Sequence, residues 1–450
     1  MNARSIFRSP WMFVLGLLLA FNIPGRAQEG KVLTLRDAID LGIKNSKQLK
    51  LNQTKITSAL NAVKDANARQ LPEASISGSY MRLNQPNIDL KLKGDSTNNN
   101  GGSSSSTPDV SQVAYGMASI SVPIFSGFKI QAAKESARYL AQAARLDADR
   151  DREEVIQNTI AAYSNLYKAT VAVNLVKENL KQQEQRTADF ANMEKNGILA
   201  RNDLLKAQLQ QSNIEVALTQ AESDLKLARI NMNIMLGLPE DTNMDLDTTF
   251  LAQAGGEEKA ITEWEQVAQQ KRKDAASLQA HEKAAYAGIK SAKGDYYPSL
   301  ALTGGYVAAY IPNVVTVTNA LNVGVGLKYN LGSLWKTGSK VDDAKNQLAA
   351  VQINEAMLSD KIHLEINQAY ENYIVSKRKI GMYEKAIEQA AENYRITKNK
   401  HANSLATTTD LLEADVAELQ AHLNYTSARA DAVVAYNKLL QTAGVLEENK

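Results

Sequence analysis

Two copies of one pattern run along the chain, and that duplication limits what it can fold into more than any other feature. Pro72 and Tyr80 correspond to Pro298 and Tyr306, an offset of 226. Further on the offset is 207. Ala162-Tyr163-Ser164-Asn165 then matches Ala369-Tyr370-Glu371-Asn372, and Asp203-Leu204-Leu205-Lys206-Ala207 matches Asp410-Leu411-Leu412-Glu413-Ala414. The positions lost between the two offsets fall where the first copy carries a low-complexity run from Asn98 to Ser106, which reads as a solvated loop tip. A long internal repeat is the mark of one supersecondary unit used twice.

Each copy predicts helix, strand, loop, strand, very long helix, sharp turn and return helix. The first helix is expected over 35–71, the long one over 127–196 and the return helix over 202–236. In the second copy the corresponding spans are 261–297, 338–401 and 407–443. At 1.5 Å per residue the long helix extends for roughly 100 Å, and the two shorter ones together match it. On the return helices, Leu204, Ala207, Gln211, Ile214, Leu218, Ala221, Leu225, Ala228 and Met232 alternate three and four apart. Leu411, Ala414, Glu418, Ala421, Tyr425, Ala428, Ala432, Ala435 and Leu439 repeat the register. This is an alanine-rich heptad seam, which permits close helix approach. Beside it runs a polar stripe, Asp410, Glu413, Ala417, Gln420, Asn424 and Ser427, suited to the wall of a water-filled tube or to a solvated coiled-coil face.

Four segments show period-two patterning: 74–83, 110–124, 300–311 and 321–331. The last alternates Leu321, Val323, Val325, Leu327 and Tyr329 with Asn322, Gly324, Gly326, Lys328 and Asn330. An apolar row opposite a glycine and polar row is the requirement of a membrane barrel strand, and Tyr80, Tyr306, Tyr310 and Tyr329 are candidates for an aromatic girdle. Four strands leave open edges, which hydrocarbon does not tolerate, and bacterial barrels begin at eight strands. If these strands are in a membrane, copies must share the wall: two give eight and three give twelve.

The remaining composition removes other classes. Arg4 and Arg8 precede an apolar run from Trp11 to Phe21, too short for a spanning helix, and Pro24-Gly25-Arg26-Ala27 offers a cleavage site. A signal peptide over 1–27 is therefore expected, with the first repeat over 28–237, a linker over 238–260 and the second repeat over 261–450. The chain has no cysteine, so neither a disulfide nor a lipid anchor is expected. Its formal net charge is only +2, which gives no reason to expect a nucleic-acid partner. His281, His363, His401 and His422 lack metal-ligand spacing, and no phosphate loop or nucleophile set stands out. Neither an enzyme nor a metal or other cofactor is expected.

Several segments together resemble the TolC-type outer-membrane efflux proteins. They are Leu33-Thr34-Leu35-Arg36-Asp37-Ala38-Ile39, Ala68-Arg69-Gln70-Leu71-Pro72, Ser121-Val122-Pro123-Ile124-Phe125-Ser126-Gly127, the turn region from Lys195 to Leu205, and Met235-Leu236-Gly237-Leu238-Pro239. At Tyr329-Asn330-Leu331-Gly332-Ser333-Leu334 the second copy departs from the family, whose members often carry proline and phenylalanine there. The resemblance implies a mainly α fold with a membrane β-barrel. Long antiparallel helical hairpins would form a trimeric α-barrel in the periplasm, and four strands per protomer would contribute to a twelve-stranded barrel in the outer membrane. It also implies a passive exit channel for tripartite efflux or type I secretion, with a periplasmic adaptor, an inner-membrane transporter and outer-membrane lipid as partners. Against this stand a periplasmic adaptor, which should carry one hairpin between β-rich domains, and a structural coiled-coil protein of the envelope, which needs no alternating strands.

Site expectations follow from the resemblance. Asn196, Gly197 and Ile198, with Asn403, Ser404 and Leu405, occupy the adaptor-docking hairpin tips, although glycine also suits a helix stop for purely local reasons. Asp203, Asp410 and Glu413 are candidates for an acidic pore entrance, where like charges would favour cations and raise some pKa values. Acids in a first helical turn also simply complement the dipole. Where some relatives close the entrance with an arginine, the matching position here is Ala406. That leaves Arg201 and His401 as gate-link candidates, one or the other expected to bond an acidic neighbour.

Overall fold

The computed structural model describes residues 32–84, 110–255, 259–312 and 314–447. The expected leader over 1–27 and the Asn98 to Ser106 run lie outside the described residues. In chain order the elements are α1 (Leu35–Asn45), α2 (Lys47–Ala68), β1 (Glu73–Arg82), β2 (Gln112–Phe125), α3 (Lys129–Lys195), α4 (Arg201–Leu236), a 3-10 turn (Thr249–Ala254), α5 (Ile261–Lys271) and α6 (Lys273–Lys293). A second 3-10 turn (Gly294–Tyr296), β3 (Ser299–Ile311), β4 (Val315–Lys328), α7 (Ser333–Ala402) and α8 (Thr408–Thr442) complete them. They divide into two compact units, each drawing on both halves of the chain. Among the described residues, the tip unit comprises 32–45, 158–255 and 376–434; the sheet unit comprises 46–84, 110–157, 259–312, 314–375 and 435–447.

In the sheet unit the four strands form one antiparallel sheet in the order β1-β2-β3-β4. Because side chains alternate along strands, the register fixes two faces. Ala74, Ile76, Gly78 and Tyr80 share a face with Ala118, Ile120 and Val122, then Leu302, Gly304 and Tyr306, then Leu321, Val323 and Val325. The other face holds Ser75, Ser77 and Ser79, Ser119 and Ser121, Thr303 and Gly305, and Asn322, Gly324 and Gly326, with Tyr115, Met117 and Val307 among them. The apolar face is uncovered, with Ile76 89% and Val323 83% exposed, and on the edge strands β1 and β4 the other face is open as well. Among the described residues, β1 and β4 have no partner on their outer edges.

Three expectations change. The strand expected to start at Leu321 begins at Val315, because the β-branched run Val315-Thr316-Val317 pairs with Ala309, Tyr310 and Ile311. A bulge between Val307 and Ala309, with Asn319 at φ 58°, absorbs the slip, and the strand ends at Lys328 rather than 331.

The helices expected over 35–71 and 261–297 are each interrupted. At the first break Ser46 takes an extended ψ of 119° and accepts a hydrogen bond from the Leu49 amide at 3.2 Å. At the second, Arg272 has ψ 126°. Both breaks serve the end of a return helix, whose last carbonyls lack helical partners. In the tip unit the Asn45 side chain donates to Leu236 O at 2.6 Å, beside the left-handed Gly237. In the sheet unit Arg272 donates to Thr442 O at 3.2 Å, beside the left-handed Gly444. A Cβ at Gly237 would lie 2.9 Å from Asn45 Cβ, and one at Gly444 would lie 2.9 Å from Arg272 N, so only glycine fits either contact. Continuous helices could not present these donors.

Both seams are inward. Leu204, Ala207, Ile214 and Met232 are buried on α4, as are Leu411, Ala414, Ala421, Ala428, Ala432 and Leu439 on α8. Over 238–255 the linker belongs to the tip unit. Leu33 bridges Leu246, and the Tyr163 hydroxyl lies 2.7 Å from Leu33 O and 2.9 Å from Asp247 O, sharing its one proton between them. Elsewhere the sheet unit buries Glu153. Burial, then the charge of Glu447, push its carboxyl up to about 7 against the pull of Lys273 and Arg272.

Candidate functional site

In the tip unit the hairpin α3–α4 turns through Asn196-Gly197-Ile198 and the hairpin α7–α8 through Asn403-Ser404-Leu405. The two turns are built alike. The Gly197 amide donates to Glu194 O (2.9 Å) and the Ile198 amide to Met193 O (2.8 Å); Ser404 and Leu405 donate to His401 O (3.0 Å) and Lys400 O (2.8 Å). This crossed pair of bonds is a Schellman stop. In each turn an asparagine adds a side-chain bond to the carbonyl four residues back, Asn196 to Asn192 and Asn403 to Asn399, both at 2.8 Å. Gly197 sits at φ 72° and Ser404 at φ 61°. Ile198 and Leu405 are exposed at the turns.

The acidic candidates differ in their company. Asp203 accepts from Lys206 Nζ at 3.2 Å, and the same ammonium donates to Thr409 Oγ1 at 3.3 Å, so its charge is partnered. The Asp410 carboxylate accepts from both the amide and the hydroxyl of Thr407 at 2.8 Å, and the Thr407 hydroxyl in turn accepts from the Asp410 amide. That reciprocal arrangement closes the first turn of α8. The Thr407 amide first, then its hydroxyl, hold the Asp410 carboxyl below its ordinary range within one chain. Glu413 is exposed one turn further along α8.

Of the gate-link candidates, Arg201 Nη1 lies 3.7 Å from Glu194 Oε1 across its own turn, with most of its side chain in solvent. Such pairs contribute little. His401 meets a hydroxyl instead of an acid: Nε2 is 3.3 Å from Thr408 Oγ1, and the ring stacks on Phe190 at 5.5 Å.

A stronger link, absent from the sequence reading, lies behind the tips. Arg186 on α3 donates to both Asp415 oxygens on α8, at 3.0 and 3.3 Å, to Tyr394 Oη on α7 at 2.9 Å, and to Gln183 Oε1 at 2.8 Å. Gln183 donates onward to Ala207 O on α4 at 2.9 Å, so four helices meet at one guanidinium. The Arg186 and Asp415 side chains are 11% and 2% exposed. Burial opposes the charge on Arg186, but the hydrogen bond and charge of Asp415 outweigh it and raise its pKa. Around the pair pack Phe190, Leu204, Ala207 and Leu411. Arg186 and Asp415 are 229 positions apart, and neither belongs to a repeated motif, so only their sharing of polar character within apolar seams could have marked them.

The sequence profile of the outer membrane efflux proteins matches residues 38–238 and 264–445, which is most of the chain and both repeats. The chain belongs to the outer membrane efflux protein family. As a member of that family it is an outer-membrane transport protein and not an enzyme. It is 22% identical over 327 residues to the outer membrane efflux protein BepC of Brucella suis, covering 71% of this chain and 70% of BepC. Its fold is that of the CmeC outer membrane channel of Campylobacter jejuni, with a TM-score of 0.76 at 16% identity, over 92% of this chain and 86% of that one. The outer membrane protein VceC of Vibrio cholerae superposes with a TM-score of 0.74 at 14% identity, over 91% of this chain and 96% of VceC. Efflux-family membership thus rests on both repeats together, hairpins and strand pairs alike.

Proposed function

We propose that the protein is the outer-membrane exit channel of a tripartite efflux or type I secretion system, closed only when three copies assemble. The observation that carries this reading is the sheet. It has one largely apolar, uncovered face, a second face rich in Ser, Gly and Asn that also carries Tyr115, Met117 and Val307, and two unpaired edges among the described residues. Hydrocarbon leaves no backbone donor unsatisfied, so four strands become a barrel only by sharing edges with other copies. Three copies give twelve strands with an aqueous lumen lined mainly by serine, threonine, glycine and asparagine, with Tyr115 and Met117 among them. Exposed Leu209 and Val216 on α4 suit coverage by a neighbouring copy.

In this reading the leader is removed after Ala27, the hairpins extend into the periplasm, and Ile198 and Leu405 offer apolar contacts to an adaptor joined to an inner-membrane pump. Asp410 and Glu413 ring the entrance and favour cations. Asp203 contributes less, because Lys206 partners it. Arg201 and His401 are minor gate links beside the Arg186 node. Planar-bilayer recordings test the proposal. The purified protein should insert as discrete channels blocked by multivalent cations, and D410A/E413A should relieve that block while R201A changes conductance slightly. Absence of channels, or a block indifferent to D410A/E413A, would contradict it.

A further inference from the structure

Where the strands of the sheet unit meet its helices, large apolar side chains stand in the open beside lysines. Gly127 and Phe128 are consecutive residues with φ 64°. Gly127 is explained by space, since a Cβ there would lie 2.3 Å from Gly294 O. Phe128 has no such excuse, and a left-handed phenylalanine is strained. Phe128 is 53% exposed, with its ring edge-on to Phe125 at 5.2 Å and to Tyr297 at 5.9 Å. Leu331, Leu334 and Trp335 are exposed at the start of α7, Trp335 by 71%. A water-facing surface does not normally gather such residues.

Basic groups follow immediately. Asp295 pairs with both Lys129 and Lys340, one carboxylate against two ammonium groups. Lys336 lies one turn before Lys340 on α7 and is exposed like it. The collar continues the apolar sheet face: Phe125, Leu300 and Leu327 lie level by register, and at the opposite end Tyr80 and Tyr310 are both paired to Ala114. Residue 310 is ten steps from residue 300, about 34 Å along a strand and about 25 Å in height at barrel tilt, the height of an outer-membrane apolar band. Aromatic residues therefore bracket that band at both ends, and among the described residues Lys129, Lys336 and Lys340 lie beyond the helix-side end.

We propose that Phe128, Tyr297 and Trp335, with Lys129, Lys336 and Lys340, form a collar that binds glycerophospholipid headgroups of the periplasmic leaflet. The rings sit at glycerol depth and the ammonium groups on phosphate. This rests on the membrane placement of the sheet proposed above, and the test separates the two. In a W11F/W264F background Trp335 is the sole tryptophan, and a second variant, W11F/W264F/W335F with V323W, places the only tryptophan at mid-strand. Both are reconstituted in phosphatidylethanolamine/phosphatidylglycerol vesicles carrying brominated acyl chains.

Trp335 should be quenched best by bromines near the carbonyls, and Trp at 323 by those near the chain ends. K336Q/K340Q should weaken retention of phosphatidylglycerol in native mass spectra by roughly tenfold. Quenching at 323 with none at 335 overturns the collar and leaves the membrane sheet standing. Quenching at 335 with unchanged lipid retention in K336Q/K340Q overturns the phosphate contact. No quenching at either position removes the membrane placement and the collar with it.

Discussion

The two hairpin turns use the same backbone bonds and different residues to make them. The first places glycine where φ is positive, while the second places Ser404 there and bears the strain. The first neutralises its acid with Lys206; the second leaves Asp410 and Glu413 free and ties Asp410 only to the uncharged Thr407. Between the two hairpins, then, the turn is the same and the charge is not. The second hairpin carries the electrostatics, and Arg186 joins it to the first.

The largest way to break this comparison is to cut that joint. D415A leaves a buried guanidinium unpaired and should destabilise the tip unit by about 3–5 kcal/mol, seen as a lower unfolding midpoint in detergent. R186M/D415L, which removes both charges, should recover most of the loss. A D415A protein as stable as the parent would deny the joint its role.

Exchanging the turn residues comes next. G197A should cost about 1 kcal/mol, because space is open but the backbone is left-handed, whereas S404G should stabilise by about 0.5–1 kcal/mol. Effects of the same sign at both turns would mean that they are not equivalent.

The pH dependence sharpens the electrostatic half. A carboxyl lowered by folding contributes stability above its unfolded pKa and loses it as pH falls through its folded one, so the Asp410 contribution should persist to about pH 4 and vanish below. T407A deletes one of the two bonds and should move the acid loss of cation block to higher pH. Glu153 has the opposite sign: with its folded pKa raised to about 7, its contribution is full below about pH 4.5 and is lost as pH rises through 7. E153Q should flatten stability across that window. The smallest effect is expected at Asp203, where D203N should leave cation block nearly unchanged.

Much of this was legible beforehand because period and repetition are local. Alternation at 321–327 marks a half-uncovered strand, and the three-four spacing on α4 and α8 marks buried seams. The breaks at Ser46 and Arg272 were not legible. Lys271-Arg272-Lys273 carries no breaker, and the reason for its kink is a carbonyl at Thr442, far away in sequence. The Arg186 node was hidden for the same cause. Val315 to Val317 joined a strand only because β3 offered edge partners past a bulge. Among the site candidates, the turn geometry followed from glycine and asparagine, but which acid keeps a free charge depended on where Lys206 and Thr407 reach.

The central claim is that β1 of one copy completes β4 of the next. Since the chain has no cysteine, a pair introduced at Ser77 and at one of residues 320–324 reports on this without background. In native outer membranes, oxidation should give covalent dimers and then trimers and stop there for at least one pair. Bands that remain monomeric for every pair, or that ladder beyond three, would contradict it.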